Sequence, residues 1–487
     1  MADTPDRPDT PDPSAPADPP APADPQVVLR SRAYATLLAL AAIIGVPISA
    51  LAFGFLALVS KLQGWIFTSL PHGLGFHDEP LWWPIPPLLL AGLLTALAIR
   101  YLPGTGGHSP ADRFKAGGAP GPAELPGVII AALATLSLGA VLGPEAPLIA
   151  IGGGLGIIAV RLARRGAPAR TAAVVAAAGS FAAISTLLGS PLVGAFLLME
   201  ASGIGGAMLE VVLVPGLVAA GIGTLMFIGL GSWTGLGTLS LAIPHLPSFG
   251  QPDAAEFGWA LAIGVLAALL GSGIRWLALF LRPHVERRMV LLTPVAGLAV
   301  AGLAIAFAAG TGKSSSEVLF SGQTALGPLV TSGASYTAAA LALLLACKSL
   351  AYSVSMSGFR GGPVFPALFT GAAGGMLLSH LPGLPLVAGV AMGIGAMSSV
   401  MLQLPLTSVL LATLLLGSDG LAVTPLAIVA VAVAYITSVH LTASPEPQAQ
   451  QETHAAAAPR GVPAQSGPSA PGAPSVPRIP PGAGRGG

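Results

Sequence analysis

Between Glu124 and Arg161 a single charged residue stands alone: Glu145, in the turn Gly143-Pro144-Glu145-Ala146-Pro147. A carboxylate isolated in an apolar stretch is costly inside a membrane, and ionisable groups retained there usually belong to ion or proton pathways. The flanking residues indicate what such a carboxylate would do. Proline in a first turn with glycine before it marks a helix N-terminus, where unpaired backbone N–H groups and the positive end of the helix dipole attract an anion. Ionised, Glu145 fills such a site itself; protonated or displaced, it yields the site to a mobile anion. A plainer role, an acid that only stabilises the first turn of its own helix, fits the same residues.

Two other segments offer similar backbone chemistry. Gly361-Gly362-Pro363-Val364-Phe365-Pro366 again sets flexible backbone ahead of an apolar run, and Gly104-Thr105-Gly106-Gly107-His108-Ser109-Pro110 is a glycine-rich loop whose amides and hydroxyls can cradle an anion. Each alone reads as a turn. Together they define the candidate anion-binding set Thr105, Gly106, Gly107, Ser109, Gly143, Ala146, Gly362, Pro363, Val364 and Phe365, with Glu145 as the gate. No His/Glu cluster suited to a metal and no Ser/His/Asp constellation occurs in the apolar segments, so the reading includes no catalytic residue, metal or cofactor.

The elements that must hold these residues are membrane helices. The chain has 487 residues, 53% of them hydrophobic and 8% charged, against about a quarter charged in a soluble domain. Uncharged runs at 33–60, 128–144, 171–199, 257–273 and 421–439 are long enough to cross a bilayer as helices, and shorter runs rich in Gly and Pro suggest broken or re-entrant helices lining a cavity. About a dozen candidate segments result. A net charge of +1 without basic-aromatic interleaving argues against nucleic acid as a partner. The single cysteine, Cys347, excludes an intramolecular disulfide.

Residues 1–28, rich in Pro, Asp and Ala, and 443–487, rich in Pro, Ala and Gly, carry too little apolar surface to fold and are expected to be disordered tails around a transmembrane domain at 29–442. The first apolar run is too long for a cleaved signal peptide. Arginines cluster at 30 and 32, at 161, 164, 165 and 170, and at 282, 287 and 288, which places the N-terminus in the cytoplasm by the positive-inside rule. The loop 71–84, with Asp78, Glu79, Trp82 and Trp83, suits an outer aromatic belt.

The chain also echoes itself. Pro147-Leu-Ile-Ala-Ile-Gly152 returns 219 residues later as Pro366-Ala-Leu-Phe-Thr-Gly371. Gly179, Ala182, Ser185, Leu188, Pro191 and Leu192 return 214 residues later as Gly393, Ala396, Ser399, Leu402, Pro405 and Leu406. Two halves, at about 29–235 and 255–442, with interrupted helices in matching places point to a transporter whose ion site lies between the repeats.

These motifs resemble those of the CLC family of chloride channels and chloride/proton antiporters. The family's Gly-Arg/Lys-Glu-Gly-Pro motif is matched by Gly143-Pro144-Glu145-Ala146-Pro147, continued by Ile151-Gly152-Gly153. Gly189-Ser190-Pro191-Leu192-Val193-Gly194 resembles its Asn-Ala-Pro-Leu-Ala-Gly segment, and Gly361-Gly362-Pro363-Val364-Phe365-Pro366 its Gly-Gly-x-Phe-x-Pro loop. The likeness runs over residues 30–440. It implies an all-α, polytopic fold of two inverted halves, in a homodimer of the bacterial inner membrane, with one path per subunit for chloride or a similar anion. Glu145 would be the gating glutamate.

The departures from the family pattern bear on mechanism. Antiporting members carry two acids at the end of the helix after Pro-Leu-Ala-Gly, the second of which takes protons from the cytoplasm. Here Glu200 matches the first and Ala201 stands at the second, so channel-like conduction is favoured over antiport, with Glu200 the residue to consider for a proton path. The loop 104–110 has two extra residues, leaving Thr105, Gly107 and Ser109 as alternatives for the serine of the central anion site. The family's pore tyrosine near the end of the chain has no clear counterpart. A secondary transporter for organic substrates is the alternative of another class, and it would need a roomy pocket rather than converging amides.

Overall fold

In lipid every backbone N–H and C=O must find a partner within the protein, so long uncharged runs fold as helices. The computed structural model describes residues 30–442 except 113, 115–117, 164–165, 167, 204–206, 235–241, 245 and 418–419. The two tails expected to be disordered, and Arg164 and Arg165, lie outside the described residues. The first half holds α1 (Arg32–Gly64), α2 (Ile85–Tyr101), α3 (Leu125–Ser137), α4 (Glu145–Ala163), α5 (Ala169–Leu188), α6 (Pro191–Ser202) and α7 (Ala207–Thr234). The second holds α8 (Ala254–Arg287), α9 (Met289–Thr311), the short α10 (Leu326–Thr331), α11 (Ala338–Gly358), α12 (Val364–Leu378), α13 (Leu386–Leu402), α14 (Pro405–Leu415) and α15 (Gly420–Thr442). No strand occurs among the described residues beyond one isolated bridge.

Among the described residues, eight helices are long and apolar enough to cross a membrane, and six shorter apolar ones lie among them. The short ones are tolerated because protein shields them: almost every residue of α12 and α13 is buried. The uncharged run at 171–199 is two helices, not one span. Gly189 turns left-handed (φ 62°) to end α5, the Ser190 hydroxyl accepts the Val193 amide at 3.4 Å, and Pro191 opens α6. The run at 128–144 likewise stops as a helix at Ser137 and continues as a buried irregular segment. Of the two tryptophans expected at an outer belt, Trp82 is exposed, whereas Trp83 is buried and donates its indole N–H to the Ile66 carbonyl at 3.0 Å.

The sequence echo is a structural repeat. The pair α4 and α5 crosses where a Cβ on Gly152 would collide with the Gly179 carbonyl oxygen, and the pair α12 and α13 crosses the same way at Gly371 and Gly393, the echoed positions. The C-caps repeat too: Gly189 donates to the Ser185 carbonyl and Gln403, left-handed at φ 60°, to the Ser399 carbonyl, both at 3.0 Å. Each cap is followed by a proline that opens the next short helix.

Candidate functional site

Glu145 is the first residue of α4. Ahead of it, Gly143 pairs with Gly362, its own counterpart 219 residues on, through two backbone hydrogen bonds, Gly143 N–H to Gly362 O at 2.7 Å and Gly362 N–H to Gly143 O at 2.6 Å. This antiparallel bridge sets the heads of α4 and α12 side by side. The Glu145 carboxyl folds back between the two glycines, where a Cβ on either would overlap it. Its Oε1 accepts the Phe365 amide at 2.7 Å, at the head of the helix in the other half.

The carboxyl is fully buried, and its Oε2 has no hydrogen-bond partner. The amides of Val364 and of Glu145 itself lie close enough to act on its charge. A carboxylate there fills the anion position that a helix N-terminus creates, at the head of α12 as well as of its own helix. Gly143, Ala146, Gly362, Pro363, Val364 and Phe365 thus lie along the two chain segments that the bridge joins beside Glu145.

The third predicted segment reaches this cluster through a residue that sequence reading passed over. Gly104, Thr105, Gly106 and Gly107 all take positive φ, at 81°, 50°, 68° and 93°. Arg360, two residues before Gly362, is buried and donates from Nε to the Thr105 carbonyl at 3.2 Å, with its stem 3.4 Å from where a Cβ on Gly106 would stand. Thr105 is exposed and Gly107 and Ser109 are half-buried, while Gly106 is buried. The signal was available: one arginine inside an otherwise uncharged Gly/Pro motif.

A buried polar stripe on α11 was also missed. Lys348, Tyr352 and Ser355 follow each other at i, i+4 and i+7, so one helix face carries all three. The Lys348 ammonium donates to the carbonyls of Glu317, Leu319 and Phe320 at 3.2, 2.8 and 3.1 Å. Tyr352 donates its hydroxyl to the Pro363 carbonyl at 2.8 Å, and the Ser355 hydroxyl accepts the Val141 amide at 3.0 Å. The stripe thus fixes the backbone on both sides of the Gly143–Gly362 bridge. In the loop it grips, burial pushes the Glu317 carboxyl above the usual carboxylate range, against the Tyr336 hydrogen bond and the charges of Lys313 and Lys348. Tyr352→Phe leaves the buried Pro363 carbonyl without its donor and should lower stability by about 1–3 kcal/mol. A thermal melt of the purified protein in detergent reads the loss.

Glu200 lies away from the bridge. Its carboxylate accepts the Leu406 amide at 3.0 Å, the Thr407 amide at 2.8 Å and the Thr407 hydroxyl at 2.6 Å, so it caps α14 from the end of α6. Tyr435 is half-buried on α15, and no contact among the described residues links it to Glu145. Among the described residues no group of His, Cys, Asp and Glu could hold a metal ion.

Known proteins share this fold. The family model for voltage gated chloride channels matches residues 113–439. A protein of Escherichia coli O1:K1 / APEC, named as an ion-transport protein, YfeO, is 30% identical over 364 residues, covering 73% of this chain and 82% of that one. The crystal structure of a slow cyanobacterial Cl−/H+ antiporter superposes with a TM-score of 0.68 at 18% identity, over 87% of this chain and 99% of its own. A CLC-type fluoride/proton antiporter gives 0.61 at 21% identity, over 83% and 95%.

Proposed function

Since this chain belongs to the voltage-gated chloride channel family, whose members are anion channels and transporters rather than enzymes, we propose that it conducts chloride or a similar small anion under the control of Glu145. One observation carries the reading: the Glu145 carboxylate occupies the amides at the head of α12 across the Gly143–Gly362 bridge. A side chain held where an anion would bind competes with that anion, which is the requirement for a gate. Family membership leaves the organic-substrate alternative without support.

Channel-like conduction is the form favoured here. Ala201 stands where a second acid would take protons, and Glu200 has its carboxylate engaged by three hydrogen bonds at α14. Antiport is the second reading, favoured by the buried Oε2 of Glu145, which lacks a partner and has room in its chemistry for a proton. The arginines at 30, 32, 282, 287 and 288 support a cytoplasmic N-terminus in a bacterial inner membrane, and the family resemblance supports a homodimer with one pathway per subunit.

The test is chloride efflux from proteoliposomes with external pH recorded at the same time. Chloride leaving without proton movement is the expected result; protons driven uphill by a chloride gradient establish antiport instead; no anion movement at all refutes the function. Glu200→Ala separates the two roles of that acid. Its cap on α14 should cost about 2 kcal/mol of thermal stability when removed, with chloride flux per folded protein unchanged. A loss of proton movement in this variant would place Glu200 on a proton path.

A further inference from the structure

Arg360 carries a full positive charge into the protein interior, at 8% exposure. A guanidinium remains protonated at any working pH and presents five N–H donors. Among the described residues it uses two, Nε to the Thr105 carbonyl at 3.2 Å and Nη1 to the Phe359 carbonyl at 3.3 Å. No carboxylate among the described residues is within ion-pair distance of it. The acids whose charge reaches it, Asp112 and Glu286, are both paired with Arg282 at 2.6 and 2.7 Å. Buried charges normally have a counter-charge, because desolvating one alone costs several kcal/mol.

Two comparisons within the molecule set this cation apart. Lys348, buried completely, matches its three N–H donors to three carbonyls and is thereby satisfied as a strut. Arg360 is left with unused donors. The repeat supplies the second comparison: the counterpart of Arg360, 219 residues earlier, is Val141, fully buried and apolar. The two backbones are treated alike, the Val141 amide bonding the Ser355 hydroxyl at 3.0 Å and the Arg360 amide the Thr135 hydroxyl at 3.3 Å. The fold thus builds this position once with a valine and once with an arginine.

Arg360 joins the 104–107 loop to the segment that leads into the head of α12. Thr105, whose carbonyl it grips, is a β-branched residue held at φ 50°, a conformation that surrounding structure must impose.

We propose that the Arg360 guanidinium is a fixed positive contact for the transported anion, placed between the 104–107 loop and the Gly143–Gly362 bridge, and that it sets how tightly the pathway holds its cargo. This rests on the anion-transport reading above. Two experiments test it. Bromide-soaked crystals of the unmodified protein should show a bromide in contact with the Arg360 guanidinium. Chloride binding by titration calorimetry in detergent should weaken roughly tenfold or more in Arg360→Gln, with Arg360→Lys between that variant and the wild type.

Bromide found only at the head of α12, with chloride bound equally by the wild type and Arg360→Gln, would reduce Arg360 to a strut for the Thr105 loop and overturn the proposal while leaving the transport function standing. A wild type that neither binds nor moves any halide removes the function itself. Should Arg360→Gln fail to fold, the bromide map of the unmodified protein decides.

Discussion

Replacing Glu145 with glutamine should tighten halide binding at the head of α12 by about 10- to 100-fold near neutral pH. The magnitude follows from the competition at that site. The carboxylate holds the Phe365 amide at 2.7 Å with a charged acceptor, and a hydrogen bond to a charged group contributes about 1.5–3 kcal/mol. An uncharged amide in its place competes far less well with an anion. The sign of the pH dependence is fixed by the same logic. In the wild type, acidification should protonate the carboxyl, remove the competing charge and raise anion occupancy. In Glu145→Gln there is nothing to protonate, so binding and flux should become flat with pH. Halide titration calorimetry and proteoliposome efflux across a pH series read both effects. A variant that keeps wild-type affinity and pH dependence would show that Glu145 only stabilises its helix.

The second large effect concerns the helix crossings. Gly371→Leu should destabilise the protein by on the order of 3 kcal/mol, at the upper end of overpacking costs, because the new side chain would meet the Gly393 backbone rather than a yielding side chain. The crossing of α12 on α13 would open, and with it the placement of the Phe365 amide against Glu145. The expected readout is loss of the monodisperse peak in detergent gel filtration and a drop in melting temperature. Gly374→Ala, three residues on, is the control: a Cβ there meets only the Leu345 side chain at 3.9 Å. If both variants melt alike, the glycine crossing is not what holds these helices together.

The repeat and the site were legible to different depths. The two echoes, read from scattered Gly, Ala, Ser and Pro, correspond to particular contacts: Gly152 on Gly179, Gly371 on Gly393, and left-handed caps at 189 and 403. Those residues were visible because close backbone approach and helix ends demand specific residue types locally. Arg360, Tyr352 and Lys348 were not assigned, since a long polar side chain gives no local sign of which backbone it will reach. Tyr352, which the sequence did not single out, donates to the Pro363 carbonyl beside the Gly143–Gly362 bridge.

The sequence by itself determined that this chain is a membrane-embedded helical duplication with one isolated acid at a helix head, because apolar length, helix-start chemistry and self-similarity are all written in consecutive residues. Only the tertiary structure decided where that acid goes. The Glu145 carboxylate lies on the amides of α12, Arg360 reaches the Thr105 loop and Glu200 caps α14. Each of these contacts joins residues more than 200 positions apart. They form because the fold brings segments of the two halves against each other, a relation that no local pattern contains.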